Sequence, residues 1–536
     1  DKLFDADKNN FAPIIGFAWD PFKKGKTSLR GGYRISYVRG SFNTIDGTLD
    51  DNEGLVLTTQ RNLGGFLRNG VTANPLPTFN IPAAQSIQVN STVDVRAFDE
   101  NLRTPYVQEW TFSVQREITR GTSLEVRYVG NRGVKLYRGY DVNEVNIQAR
   151  DPRTGQSFIE AFRIAQNNLE AFKRARPTAT PNFKYDATIA GSRPNPLFDD
   201  VLFRGRAASE FQLTNYVQRL EEGRAGDFAD YVSRVRLANN RRGDPFYAAV
   251  GAGLLPVNFF RANPNIRGAQ LFGNASFSTY HALQVELQRR LTGGLRVQMN
   301  YSFAKGLSDF IGSSGDTNSY LTLRNTRLET SQYNNTHQLN ANFIYNLPFG
   351  RGRKFLRGVK GAPGQIISGW QLGGIMRYNS GDPLSILSGR GTFNRDDRSA
   401  LNSVNVVGNL SREQLQKLAE VRTIGSGVFY LDPNLAPGSG SDASKVIFQN
   451  PEAGTTGALG LGSIFGPQYW NFDFSALKRT RLTENTNLEF RAEIFNLFNT
   501  VNFDNPVTGI NSANFGRITS IAGRPRLMQF ALRLNF

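Results

Sequence analysis

The chain has 536 residues, 63 Lys and Arg against 45 Asp and Glu, and no cysteine, so disulfides and thiolate metal sites are excluded. A net charge of +18 and a pI near 10.0 suit nucleic acid, anionic lipid headgroups or a cationic lumen; the arginines are spread along the whole chain with no dense cluster, which argues against nucleic acid. No stretch approaches the ~18 apolar residues of a membrane helix, and a mean hydropathy of −0.39 is ordinary for a barrel with a wet lumen and wet loops. Asp1 opens no signal peptide and there is no initiator Met, so the start reads as an internal cut or a mature end.

Alternating segments come in pairs joined by turns. The first pair holds Ile15, Phe17 and Trp19, turns through 20–26, and returns through Leu29, Tyr33, Ile35 and Tyr37, with Arg30, Arg34 and Ser36 facing the other way. The second runs Trp110, Phe112, Val114, turns at Arg120-Gly121, and continues Leu124, Val126, Tyr128. The third runs Leu283, Val285, Leu287 and, after Thr292-Gly293-Gly294, Leu295, Val297, Met299, Tyr301 and Phe303, with Arg296 and Gln298 on the opposite face. The fourth runs Leu339 to Leu347, turns at 351–354, and continues Trp370, Leu372, Met376, Tyr378. The fifth runs Trp470, Phe472, Phe474, turns near Glu484-Asn485, and continues Leu488, Phe490, Ala492, Ile494, opposed by Glu489, Arg491 and Glu493. Strict period-2 alternation predicts two-faced strands, and Gly, Asn or Pro in each turn suits hairpins. The chain closes on a single further strand, with Met528, Phe530, Leu532, Leu534 and the terminal Phe536 on one face.

Long segments rich in Gly, Asn, Ser, Asp and Pro separate the pairs, at about 39–104, 140–270, 307–335, 380–468 and 500–524, and read as loops. Short turns on one side and long loops on the other predict an outer-membrane β-barrel. Within 140–270, Phe158, Phe162, Ala165, Leu169 and Phe172 mark one face of a helix, and Leu213, Tyr216, Val217 and Leu220 suggest a second. A succession of Glu489, Arg491 and Glu493 needs water or mutual pairing, since an unpaired buried ion costs several kcal/mol. These residues, with Arg296, Gln298, Arg30 and Arg34, are the candidate lumen-facing set, and the arginines would favour an anionic ligand. Trp19, Trp110, Trp370 and Trp470 fall near predicted strand ends, as an interfacial aromatic girdle would. The two histidines, His281 and His337, stand at or near predicted strand ends with no companion at metal spacing. No phosphate loop, nucleophile motif or acid–base pair stands out, so neither an enzyme nor a cofactor is expected.

The runs Tyr469-Trp470-Asn471-Phe472-Asp473-Phe474-Ser475 and 488–499, with Tyr301-Ser302-Phe303-Ala304-Lys305, Tyr378-Asn379-Ser380-Gly381-Asp382-Pro383 and the stretches at 278–284 and 10–18, resemble the C-terminal barrel of TonB-dependent outer-membrane receptors, Oar-like branch. The resemblance spans the chain but lies in its strands. It implies an all-β, transmembrane, antiparallel up-and-down barrel of 22 strands, plugged by an N-terminal domain through which TonB acts, in the outer membrane of a Gram-negative bacterium. No plug or TonB box is identifiable here. The count is about eleven strands, which fits the C-terminal half of such a barrel, with residues 140–270 as a loop insertion. Phe536, with Leu534, Leu532 and Phe530, resembles the signal read by the barrel-assembly machinery. On this reading the short turns are periplasmic, the first strand's predecessor lies before Asp1, and Phe530–Phe536 has a neighbour on one side only. The implied partners are outer-membrane lipid and lipopolysaccharide, TonB through the plug, and an extracellular or surface partner on the loops. Energised uptake is the first functional expectation, and a scaffold displaying loops without transport is the alternative.

Overall fold

The computed structural model describes residues 5, 7–38, 90–233, 245–309, 329–330, 335–350, 352–438 and 442–536; most of the predicted loops at 39–104 and 307–335 lies outside them. The principal strands are β1 (Ile14–Trp19), β2 (Thr27–Tyr37), β3 (Asn90–Phe98), β4 (Tyr106–Thr119), β5 (Thr122–Asp141), β6 (Ile266–Thr292), β7 (Leu295–Ser308), β8 (His337–Asn346), β9 (Trp370–Asn379), β10 (Tyr469–Arg481), β11 (Asn487–Phe495) and β12 (Leu527–Asn535). All except β3 form one antiparallel meander in chain order, β1 at one edge and β12 at the other. All five hairpins lie where alternation places them. Among the described residues β12 pairs with β11 alone and the sheet is open, not a closed barrel.

The register explains why both faces are continuous. One row of paired residues runs from Trp19 through Leu29, Val114, Val126, Val285 and Tyr301 to Leu339, Tyr378 and Trp470. Because side chains alternate with period 2, this row fixes one face as apolar on every strand. It starts beside the short turn after Trp19 and ends beside the long loop before Tyr469. The strands are therefore tilted and staggered across the sheet, the geometry a barrel wall requires. Among the described residues nothing covers the apolar face: Phe530 is 64% exposed and Leu532 69%.

Three features depart from the sequence expectations. β6 is 27 residues long and begins at Ile266, so His281 stands mid-strand rather than at an end. β5 is 20 residues long, and together the two exceed the ~9–11 residues needed to cross a bilayer and rise into the long-loop side. There β3, inside the segment read as loop, adds to β6 in parallel. The 351–354 turn extends to Gly369 and carries a short helix, Gly361–Ile367.

Burial is concentrated off the sheet. The largest fully buried side chains are Arg395, Ile147, Phe448 and the phenylalanines of residues 158–260. The 140–270 segment folds as helices α1 (Phe158–Ala175), α2 (Thr214–Glu221), α3 (Ala225–Ser233) and α4 (Pro245–Gly251), both predicted helices among them. Ser157 caps α1 by accepting from the Glu160 N–H, while the Glu160 carboxylate accepts from the Ser157 N–H. Its apolar stripe buries Phe158, Phe162, Ala165 and Leu169 against Phe198, Phe228 and Phe260. The 380–468 segment, read as loop, builds a second core with Ile386, Val404, Leu431, Phe448 and Ile464, completed by Ile510 and Phe515. Together these loops form a folded cap over the long-loop end of the sheet.

Candidate functional site

Two features of the fold could act on a ligand: the polar face of the sheet and the cap above it. On the polar face Arg491 lies between Glu489 at 3.1 Å and Glu493 at 3.7 Å, and Arg479 holds Glu489 at 2.9 Å. Arg34 on β2 pairs with Glu109 on β4, and the Arg30 Nε donates to Ser28 Oγ. Arg296 and Gln298 share this face on β7. Arg296 is level with Glu493 but three strands, β8 to β10, lie between them. The candidate lumen residues thus share one face without converging on one point. Arg34 and Arg491 are matched by carboxylates, while among the described residues Arg30 and Arg296 are paired with none. A cleft of about 230 Å³ opens mid-wall, lined by Glu125, Arg127, Gln284, Glu286, Asn300 and Gln338 among others. Its hydroxyl, amide and carboxylate groups are suited to hydrogen-bonding a polar solute.

On the apolar face Trp19 and Trp370 stand at the short-turn end and Trp110 and Trp470 at the long-loop end. Tyr128 Oη lies 2.7 Å from His281 Nδ1, and Tyr301 Oη 2.8 Å from His337 Nδ1. Each imidazole is thereby satisfied within an aromatic belt. Phe530 stacks on Phe490, and Leu532, Leu534 and Phe536 continue the same face to the short-turn rim.

The cap is locked by an ionic cluster that sequence reasoning missed. Arg395, fully buried, donates from Nη2 to Asp141 Oδ2 at 2.8 Å and to Asp94 at 3.2 Å, and from Nη1 to the Arg267 carbonyl at 2.8 Å. Arg398 reaches Asp94 at 2.8 Å. Arg261 pairs with Asp230 of α3, and Arg267 holds Asp397 at 3.1 Å. One cluster thus joins β3, the tops of β5 and β6, the helical insertion and the 380–468 loop. Gly268 makes room for it, because a Cβ there would lie 2.5–2.7 Å from Asp141, Arg395 and Asp94 atoms. Gly226 does the same for loop docking, since a Cβ would lie 2.3 Å from the Asn394 carbonyl oxygen. Burial works against the Arg395 charge, but Glu144, Asp141, Asp94 and Asp397 outweigh it and hold its pKa above the guanidinium norm. Burial also pushes the Glu144 carboxyl up to about 7, although Arg395 pulls the other way. The one sequence signal was the dense run Arg395-Asp396-Asp397-Arg398 in an otherwise weakly charged loop.

A family model described as an outer membrane beta barrel domain matches residues 1–529. The chain belongs to the outer-membrane β-barrel domain family. Its place is accordingly the outer membrane of a Gram-negative bacterium. No curated protein matches the chain. Among solved structures it is similar to the outer membrane transporter YddB from Escherichia coli, at 9% identity and a TM-score of 0.36, covering 97% of this chain and 39% of that one. The pyoverdine outer membrane receptor FpvA from Pseudomonas aeruginosa, bound to pyoverdine, gives 12% identity, a TM-score of 0.33, and coverage of 98% and 36%. The siderophore receptor PiuA from Acinetobacter baumannii gives 8%, 0.32, 98% and 35%. This family member therefore spans between a third and two fifths of the length of the structures it matches.

Proposed function

We propose that the chain is wall and ligand-facing cap of a TonB-dependent-receptor-like outer-membrane transporter, one half of a 22-stranded barrel. The observation that carries this is a tilted, two-faced meander whose 140–270 and 380–468 segments, at one end of the sheet, fold into a cap with its own cores. The apolar face with its tryptophan belts suits lipid, the polar face with paired Glu and Arg suits a wet lumen, and the short turns are then periplasmic. The resemblance of the strand motifs to those of TonB-dependent receptors suggests the energised step, in which TonB pulls on a plug and ligand passes. The chain's part is to bind at the cap and to offer a hydrogen-bonding wall; it performs no chemistry and holds no cofactor.

The test is a comparison of solute uptake in the native host lacking this gene and in the host lacking TonB. The same solute should be lost in both. Uptake that depends on the gene but survives TonB loss overturns the energised reading. The folded cap also supports a second reading, a surface scaffold that grips an extracellular partner. It would show as lost adhesion in the gene deletion with every solute still imported.

A further inference from the structure

Basic residues scattered along the sequence are gathered by the topology onto one rim. The five turns at the short-turn end, 20–26, 116–121, 289–294, 347–369 and 478–486, hold fifteen Lys and Arg against three Asp and Glu. That net +12 is two thirds of the chain's +18 in about a tenth of its residues. The three acids do not neutralise it. Asp20 accepts the N–H groups of Phe22 and Gly25, and Glu117 accepts that of Gly121, so two of the three are spent on turn backbone. Among the described residues, Arg479 is the one rim cation paired with a carboxylate, Glu489.

Each turn also presents a large apolar side chain beside its cations. Phe22, Ile118, Leu291, Leu356, Ile366 and Leu482 are each between 51 and 67% exposed. Leu482 has the parity of the apolar face and carries it down to the rim, while Ile118 and Leu291 stand at the register shifts that end β4 and β6. The 347–369 turn is the most developed. It has no acidic residue, and Arg353, Lys354, Arg357 and Lys360 are all exposed beside Phe355 and Leu356. Lys354 Nζ lies 5.4 Å from the centre of the Phe355 ring. Leu356 sits at φ +55°, a backbone conformation unfavourable for a residue with a Cβ, and displays its side chain outward. Lys478, on the apolar face below Trp370, is held by the carbonyls of Gln365 and Ser368 and ties this turn to the sheet.

We propose that this rim is a docking surface for the headgroups of anionic phospholipid in the periplasmic leaflet. Cations would meet phosphate while the apolar tips enter the acyl boundary. Charge complementarity and continuity with the apolar face both select a lipid surface. The inference rests on the barrel reading, which sets this rim at the inner leaflet.

The test labels Ile366→Cys with a small fluorophore in the full-length protein reconstituted into phosphatidylethanolamine vesicles. Quenching is compared between equal fractions of brominated phosphatidylglycerol and brominated phosphatidylethanolamine. Enrichment of the anionic lipid by roughly fivefold, the factor one cation gains near an anionic surface, is expected. It should fall to parity in ~1 M salt, a readout that needs no further mutation. It should also fall to parity when Arg353, Lys354, Arg357 and Lys360 are changed to Glu, with heat-modifiable migration on gels unchanged as the check on folding. Parity in the native protein at low salt overturns the inference alone, as does a preference that survives both salt and charge reversal. No quenching by either lipid means that the rim stands off the leaflet and overturns the inference, whereas loss of heat-modifiable migration in the same sample overturns the barrel reading.

Discussion

The sheet and its cap are built for different solvents. The sheet leaves its apolar side chains uncovered and lines its other face with paired charges; the cap buries phenylalanines as a water-soluble domain does. A cavity in the cap has nothing to refill it, whereas a gap on the sheet's apolar face is filled by lipid. Phe228→Ala should therefore cost the cap about 3–5 kcal/mol, read as faster amide exchange across 158–260. Phe530→Ala should lose only the transfer part. Equal losses at the two sites would break the comparison.

The cluster around Arg395 sharpens it. Arg395→Met removes the fully buried cation and leaves Asp141 and Asp94 to share Arg398 alone, and a broken buried pair costs about 3–5 kcal/mol. Arg395→Lys should not restore it, because one ammonium cannot serve Asp141, Asp94 and the Arg267 carbonyl in the same fork. Proteolysis should then open both the 395–398 loop and the β3 region while the sheet stays resistant.

Glu144 gives a pH test with a definite sign. Burial raises its native carboxyl to about 7 from an ordinary value of 4.5. Between those values the native state holds more protons than the unfolded one, so cap stability falls as pH rises through the window and the full penalty stands above it. The slope should total on the order of 3 kcal/mol and should flatten in Glu144→Gln. Asp199, pushed up to about 6 by burial against hydrogen bonds from Asn195 and Tyr185, acts in the same direction. The measurement therefore belongs in an Asp199→Asn background. Rising cap stability over pH 5 to 7 in that background would contradict the burial of Glu144.

What was legible in the sequence follows the same division. All five hairpins and the last strand could be placed, because two solvents impose period 2 on every strand and a one-residue slip would put charge into lipid. The α1 and α2 stripes were legible for the equivalent reason at helical period. The core of the 380–468 segment was not. Ile386, Val404, Leu431 and Phe448 come from short, aperiodic pieces whose partners lie far away in the chain. The same holds for Arg395, whose partners Asp141 and Asp94 lie more than 250 residues earlier. The basic rim was invisible as well, because only the hairpin topology brings Lys23, Arg120, Arg290, Arg357 and Arg481 to one end. His281 was misplaced because β6 continues past the membrane span into the cap.

A smaller effect tests local encoding. Ser157→Ala removes one half of the α1 capping box and should cost about 1 kcal/mol, seen as earlier exchange of the first α1 turn with the Phe core intact. The smallest expected effect returns to the wall. Arg34 and Glu109 pair across β2 and β4 with side chains 55% and 30% exposed. A double-mutant cycle with Arg34→Gln and Glu109→Gln should give a coupling below ~1 kcal/mol, as solvated pairs do. Pairs withdrawn from water couple more strongly, because removing one partner strands the other charge at a cost of several kcal/mol. A coupling of about 3 kcal/mol would mean that the polar face is dry in the assembled protein. The contrast between a wet wall and a close-packed cap would then fail at the wall, since a second dry surface would have to seal against it.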